Sequence, residues 1–360
     1  MKNHRNDKMT AGEIIRCCLR APVGLLLTAA VIASPFWLTD GSPRQTAHRI
    51  AEIFDKSEEK ITVGGAAASE TVSPSQITVT TAAPTTTAAT APTTAAPSVP
   101  DGFLPVKEVQ YIKGNLSGCG IEIKNGCERH SPDISALLAE KPDFSLSDDG
   151  YRVLIIHTHT TECYIGGGGY YDPSVSPRTT DKSKNMVCVG DEIEKQLEAA
   201  GIKVLHVSTV HDYPAYNGSY DRAKQTITGY LEKYPSIGMV LDIHRDAITQ
   251  QDGTKLKPTA VIDGKKAAQI MIVSGCSDDG ALYFPDWEKN LRMAAHLQKR
   301  LSEQYPGLAR PLYFAPYRYN MHLTKNSLLI EIGTDVNTLD EAAYSGKLFG
   351  KALASLLSEL

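Results

Sequence analysis

The stretch Val153-Leu-Ile-Ile-His157-Thr-His159-Thr-Thr-Glu162 closes a short apolar run with metal-type ligands, and two later stretches repeat the pattern. These are Val240-Leu-Asp242-Ile-His244-Arg245-Asp246 and Leu328-Leu-Ile-Glu331-Ile-Gly333-Thr334. Each run is brief and rich in β-branched residues, which reads as a buried strand rather than a helix. Open α/β sheets place their sites at strand ends. Two histidine segments with two carboxylates match a catalytic zinc site that keeps one coordination position open. The expected chemistry is therefore zinc-dependent hydrolysis.

The residues divide by role. His157 and His159 are two apart, so an extended strand would aim both at one face. One is expected to ligate metal while the other supports or orients it. His244 ends the second strand, and Glu331 stands inside Ile-Glu-Ile, where apolar surroundings give a charge no structural reason to be. Glu331 is the expected general base, which takes a proton from water and returns it to the leaving amine. A salt bridge to Arg245 or Arg318 is the competing explanation for it. The carboxylate ligand is either Glu162 or Asp181, the latter just ahead of the next helix. Arg178 or Arg245 would neutralise a substrate carboxylate in bidentate fashion, and Asp246 would hold a ligand imidazole by its second nitrogen. Asn320 and Asn337 are amide-binding candidates, although a solvated loop explains them equally well.

Outward from these segments, strand and helix patterns alternate. The strand at Tyr151–His157 leads through a glycine-rich loop to a helix with Met186, Val189, Ile193 and Leu197 on one face, stopped by Gly201. Ile202–Val207, a helix with Ala223, Ile227 and Leu231, and the strand Met239–Ile243 follow. Thr259–Ile262 and Ala268–Ser274, separated by Asp263-Gly264, read as a hairpin. A helix with Trp287, Leu291, Ala294 and Leu301, the strand Leu328–Ile332 and a helix from Thr338 to Leu360 complete the chain. Residues 101–150 read as a lead-in with two strands (Glu108–Ile112, Gly120–Ile123) and a short helix near Ile134–Leu138, and 151–360 as the hydrolase domain. The expected fold is α/β, a three-layer α/β/α sandwich with a mainly parallel sheet.

The first hundred residues read differently. Lys2, Arg5, Lys8, Arg16 and Arg20 precede an apolar run over 21–38, near the lower limit for a membrane span of about 18 residues. The positive flank predicts a cytoplasmic segment 1–20 and an extracytoplasmic remainder. The long apolar run, with Pro35 after the small residues, favours an uncleaved single-pass anchor at 21–38 over a cleaved signal peptide. After a juxtamembrane segment, 39–65, the composition collapses over 66–100 to Thr, Ala, Pro and Ser. Such a linker buries too little to order itself, and at about 3.1 Å per residue it reaches on the order of 100 Å. A formal charge of −4 without a basic stripe gives no reason to invoke nucleic acid. The seven cysteines lack paired CxxC spacing, so free thiols are the expectation, with Cys119–Cys127 the one bridge considered.

Across about residues 105–360 the chain resembles the stage II sporulation protein P family of cell-wall hydrolases. The resemblance rests on His157-Thr-His159-Thr-Thr-Glu162, Arg178-Thr-Thr-Asp181, Asn185-Met-Val-Cys-Val-Gly190, Tyr216-Asn-Gly-Ser-Tyr220, Asp242-Ile-His244-Arg245-Asp246-Ala247 and Ile330-Glu331-Ile-Gly333-Thr334. It departs at Met321, where the family pattern has Gln. The resemblance implies a fold and chemistry similar to zinc-dependent N-acetylmuramoyl-L-alanine amidases. Ligands would fall on His159 (with His157 competing), on Asp181 or Glu162, and on His244, with Glu331 catalytic. It also implies Zn2+ as cofactor, endopeptidase activity on peptide cross-links, and septal peptidoglycan thinning during engulfment. The implied partners are peptidoglycan, the membrane, a lytic transglycosylase and a membrane recruiting protein. The contrasting expectation is a wall-binding scaffold that has lost turnover.

Overall fold

Residues 99–146 and 149–360 are described by the computed structural model. The expected cytoplasmic segment, membrane anchor, juxtamembrane segment and nearly all of the linker lie outside the described residues. Among the described residues, no helix is long and apolar enough to cross a membrane.

The chain runs β1 (Leu104–Val109), β2 (Leu116–Gly118), β3 (Ile121–Asn125), α1 (Ile134–Ala139), β4 (Val153–Ile156), β5 (Tyr170–Tyr171) and α2 (Met186–Ala199). It continues through β6 (Val204–His206), α3 (Ser219–Lys233), β7 (Met239–Asp246), β8 (Lys255–Ile262), β9 (Lys265–Ala268) and β10 (Ile270–Gly275). The last elements are α4 (Trp287–Gln304), β11 (Leu312–Ala315), a 3-10 turn at Met321–Leu323, β12 (Leu328–Thr334) and α5 (Leu339–Leu357). The fold is mixed α/β.

Eight strands form one sheet in the order β2-β3-β11-β10-β12-β7-β4-β6. The pairs β2/β3 and β10/β12 are antiparallel and the other five are parallel. A second sheet, β5-β1-β8-β9, stands beside it. The expected hairpin is real only in its first arm. β8 pairs with β9 across Asp263-Gly264, but the second arm breaks at Gln269, and β10 leaves for the large sheet. Gln269 is the joint. Its N–H donates to the Pro258 carbonyl, its own carbonyl accepts from Gly333, and its side chain bonds Tyr111 and Gly307.

Both faces of the large sheet carry apolar clusters, as the period of two along a strand requires. From β4, Val153 and Ile155 join Ile193, Leu297 and Phe349 from α2, α4 and α5 in the larger cluster. Leu154 and Ile156 point the other way, with Ala223 and Ile227 of α3. Helices α2 and α5 approach closely because α5 carries Gly346 and Gly350. A Cβ on either would meet a backbone oxygen of α2, Val189 or Ile193, at 3.0 Å.

Helix ends follow their sequence signals. Thr338 and Glu341 form a reciprocal capping box at the start of α5. At the end of α2, Gly201 takes φ +79, its N–H bonds the Glu198 carbonyl, and Ile202 N–H bonds Leu197, a Schellman closure. Nothing lies within 4 Å of a Cβ built at Gly201, so a substitution there meets backbone strain alone. Gly201→Ala is expected to cost about 1 kcal/mol of stability, read as a lower urea midpoint with unchanged slope. Gly201→Asn should cost less.

Candidate functional site

Three adjacent parallel strands, β4, β7 and β12, deliver the ligand-type residues at their C-terminal ends. The β12–β7 register places Glu331 directly beside His244, so the two side chains share a face. Just beyond, the ladder slips between Glu331 and Thr334 around Gly333, whose φ is +65. Bulges of this kind bend a strand next to functional sites.

β4 ends at Ile156, and the next residues turn rather than extend. That separates the two histidines the sequence placed on one face. His157 turns inward, donating from Nδ1 to the Ile243 carbonyl (3.0 Å) with Nε2 2.9 Å from His206 Nε2. Burial, then the His206 ring, push its pKa down to about 3. His159 turns toward His244, their rings 5.2 Å apart and perpendicular. Tyr216 stacks on His159 at 4.6 Å, and Tyr220 meets it edge-on. Its Nε2 is 3.2 Å from the Tyr216 hydroxyl and its Nδ1 is 3.4 Å from Ser219 Oγ. Burial holds its pKa down to about 4, which favours the neutral imidazole that metal binding needs.

Glu162 is fully buried. Its Oε2 accepts from the Arg245 backbone N–H (3.2 Å) and lies 3.5 Å from His244 Nδ1. Its Oε1 is 3.7 Å from Arg178 and 3.9 Å from Arg245. Burial opposes its ionisation, but Arg245 and His244 together hold the carboxyl below its usual range. On the far side of the ring, His244 Nε2 is 2.9 Å from Asp242 Oδ1. Despite burial, Asp242 and Glu162 pull the His244 pKa well above its ordinary value. The His244 ring thus sits between two buried carboxylates.

Asp242 was not singled out in the sequence. It orients His244 and also accepts from Thr158 N–H (2.8 Å) and Thr158 Oγ1 (2.6 Å), fixing the turn after β4. Its signal was a charge two residues before His244 in an apolar strand, which period two places on the same face. Asp212 does the same for Thr161 and binds Arg178 at 2.7 Å.

The remaining predicted residues separate. Arg178 is partly exposed, its guanidinium 4.5 Å over the Tyr216 ring. Arg245 is buried and committed to the carbonyls of Cys163 and Pro177. Asp246 pairs with Arg310 at 2.8 Å instead of orienting an imidazole. Asp181 is exposed and bonded to Ser183 and Lys184, so Glu162 is the carboxylate beside the histidines. Asn320 bonds the Tyr220 carbonyl, and Asn337 braces Thr334 and Glu341.

Glu331 is buried, its Oε2 accepts no hydrogen bond among the described residues, and it forms no ion pair with Arg245 or Arg318. Burial, then the nearby Asp246, push its pKa up to about 8, with His244 opposing.

Two imidazoles and a carboxylate are the donor types of a hydrolytic zinc site. Their ligand atoms do not all fall within 4.8 Å of one another, unlike those of Cys127, Cys276 and Asp278 or of Asp191, Glu194 and His206. Glu162 contacts the two arginines, and His159 contacts Tyr216 and Ser219.

A mixed α/β protein with a histidine–carboxylate cluster at its strand ends is the class that fold and site define. The chain belongs to the family described as Stage II sporulation protein P (SpoIIP), which matches residues 53–354. A relative of that name from Bacillus subtilis (strain 168) is 28% identical over 231 residues, covering 61% of this chain. The chain spans about half of that relative's length, 53%. Among solved structures, an N-acetylmuramoyl-L-alanine amidase of Nostoc punctiforme matches with a TM-score of 0.35 at 11% identity, over 59% of this chain and 98% of that one. An amidase of Clostridioides difficile in complex with a lipoprotein matches with a TM-score of 0.35 at 13% identity, over 58% of this chain and 100% of that one.

Asp242→Asn should lower the pKa of His244, read from the pH dependence of its ring-proton NMR signals while circular dichroism reports the fold. An unchanged titration would show that Asp242 does not charge the ring.

Proposed function

We propose that the chain is a zinc-dependent peptidoglycan hydrolase that cleaves the amide between N-acetylmuramic acid and L-alanine. The observation that carries this is the gathering of His159, Glu162 and His244 at the ends of adjacent strands, with Glu162 3.5 Å from His244, the two rings 5.2 Å apart and Glu331 in register beside His244. Family membership and the motif resemblance supply the substrate and the bond. On the same footing we read the helices as covering both faces of the large sheet in three layers, and residues 21–38 as a membrane anchor. That anchor would place the domain outside the membrane, where it would work with a lytic transglycosylase and a membrane recruiting protein during engulfment.

His159, Glu162 and His244 would hold the ion. When bound, zinc polarises a carbonyl oxygen and lowers the pKa of water toward about 7. Asp242 keeps His244 turned so that Nδ1 faces Glu162. Glu331 takes a proton as a water oxygen attacks the amide carbon, then gives that proton to the departing nitrogen as the C–N bond breaks. A base with its pKa near neutrality suits both transfers. Arg178, partly exposed over Tyr216 and paired with Asp212, would turn its guanidinium to a carboxylate of the stem peptide.

Glu331→Gln is expected to retain zinc and lose about 10²- to 10⁴-fold in turnover, whereas His244→Ala should lose the metal itself. Retained turnover in the first variant would remove the general base. Normal zinc content in the second would strike His244 from the ligands. The function is tested by digesting purified peptidoglycan with the full chain, with and without a chelator, and weighing the products. Chelator-sensitive release of intact stem peptides is the expected outcome. Split cross-links alone would make the enzyme an endopeptidase, and no release from a zinc-loaded chain would favour a scaffold.

A further inference from the structure

Away from the site, strands β3 and β10 flank β11 on its two sides, which sets them about two strand spacings, nearly 10 Å, apart. Their following loops nevertheless converge over the end of β11. Cys127 Sγ, just past β3, lies 3.1 Å from Cys276 Sγ, just past β10. The bridge considered from sequence paired Cys127 with Cys119, but Cys119 is exposed while Cys127 faces Cys276.

The approach is held by groups other than sulfur. Gly126 N–H bonds the Phe314 carbonyl, and Cys276 N–H bonds Ala315, so both loops are anchored to β11 at 2.9 Å. The Asp278 carboxylate accepts from the N–H groups of Glu128 and Arg129, each at 2.9 Å. Asn125 bonds Cys127 N–H and the His130 carbonyl, closing the first loop on itself. His130 packs on Trp287, which packs on Phe314 beneath.

We propose that Cys127 and Cys276 form a disulfide that ties the lead-in strands to the large sheet. It would form by exchange with a disulfide R–S–S–R. The half-buried Cys127, as thiolate, attacks one sulfur of R–S–S–R and releases one thiol. The fully buried Cys276 then attacks the Cys127 sulfur and releases the second. Two protein thiols are oxidised, one external disulfide is reduced to two thiols, and the protons go with the leaving groups. The hydrogen bond with Cys127, then burial, push the Cys276 thiol up, so Cys127 is the partner that opens the reaction. The bond spans a sequence separation of 149 residues, and closing so long a loop restricts the unfolded chain strongly. The bridge does not depend on the catalytic reading.

The test treats the full chain with oxidised glutathione, alkylates it under denaturing conditions without reduction, and maps the digest by mass. A peptide pair joining Cys127 to Cys276, lighter by the two thiol hydrogens and separated by dithiothreitol, is expected. Dithiothreitol should lower the melting temperature by roughly 10 °C. Cys127→Ser should melt at that lower temperature and no longer respond to the reductant, and Cys119→Ser should behave as wild type. Alkylation of both thiols in the oxidised chain would overturn the proposal, as would a Cys119–Cys127 pair. So would thiols that become reactive only after a chelator strips a metal held by Cys127, Cys276 and Asp278.

Discussion

Taking an ionised carboxylate out of water costs several kcal/mol even after the protein relaxes, and Glu162 is buried completely. That cost organises the surrounding structure. Arg245 gives Glu162 its backbone N–H while its guanidinium secures the carbonyls of Cys163 and Pro177. Arg178 reaches the same carboxylate but is anchored by Asp212. Asp242, on the far side of the His244 ring, and Glu162 together raise the His244 pKa. Removing any one of these would leave a buried charge short of compensation, so the cluster is coupled as a unit.

The same groups connect the site to the fold. Asp242 and Asp212 each use one carboxylate to fix a threonine of the turn after β4 and another contact to set a side chain of the site. The turn that carries His159 and Glu162 is thus held by the two carboxylates that also contact His244 and Arg178. On the other side, in-register pairing of β12 with β7 delivers Glu331 to His244. The register then shifts at Gly333 before the chain turns into α5. Catalytic geometry needs this kind of rigid support from regular elements.

Much of this was legible because charges in apolar strands are expensive and therefore conspicuous. His244 and Glu331 stood out for that reason, and the elements around them fell close to where periodicity placed them. The histidine pair shows where such reading stops. Period two holds only while the strand lasts, and β4 ends one residue before His157, so the two rings diverge into different pockets. The hairpin failed for a related reason. An apolar run from 268 to 274 does not reveal that Gln269 hands the chain from one sheet to the other. Asp242 carried the same signal as Glu331 but was read as part of a motif. The meeting of Cys127 and Cys276 depends on strand order, which local pattern does not encode.

We propose that His159, Glu162 and His244 form one cation site built from nitrogen and oxygen donors. The direct measurement is zinc stoichiometry of the full chain combined with X-ray absorption at the zinc edge. One zinc per chain with imidazole and carboxylate neighbours, lost in Glu162→Ala, is the expected result. A chain that binds no zinc, or a spectrum dominated by sulfur scattering, would contradict it.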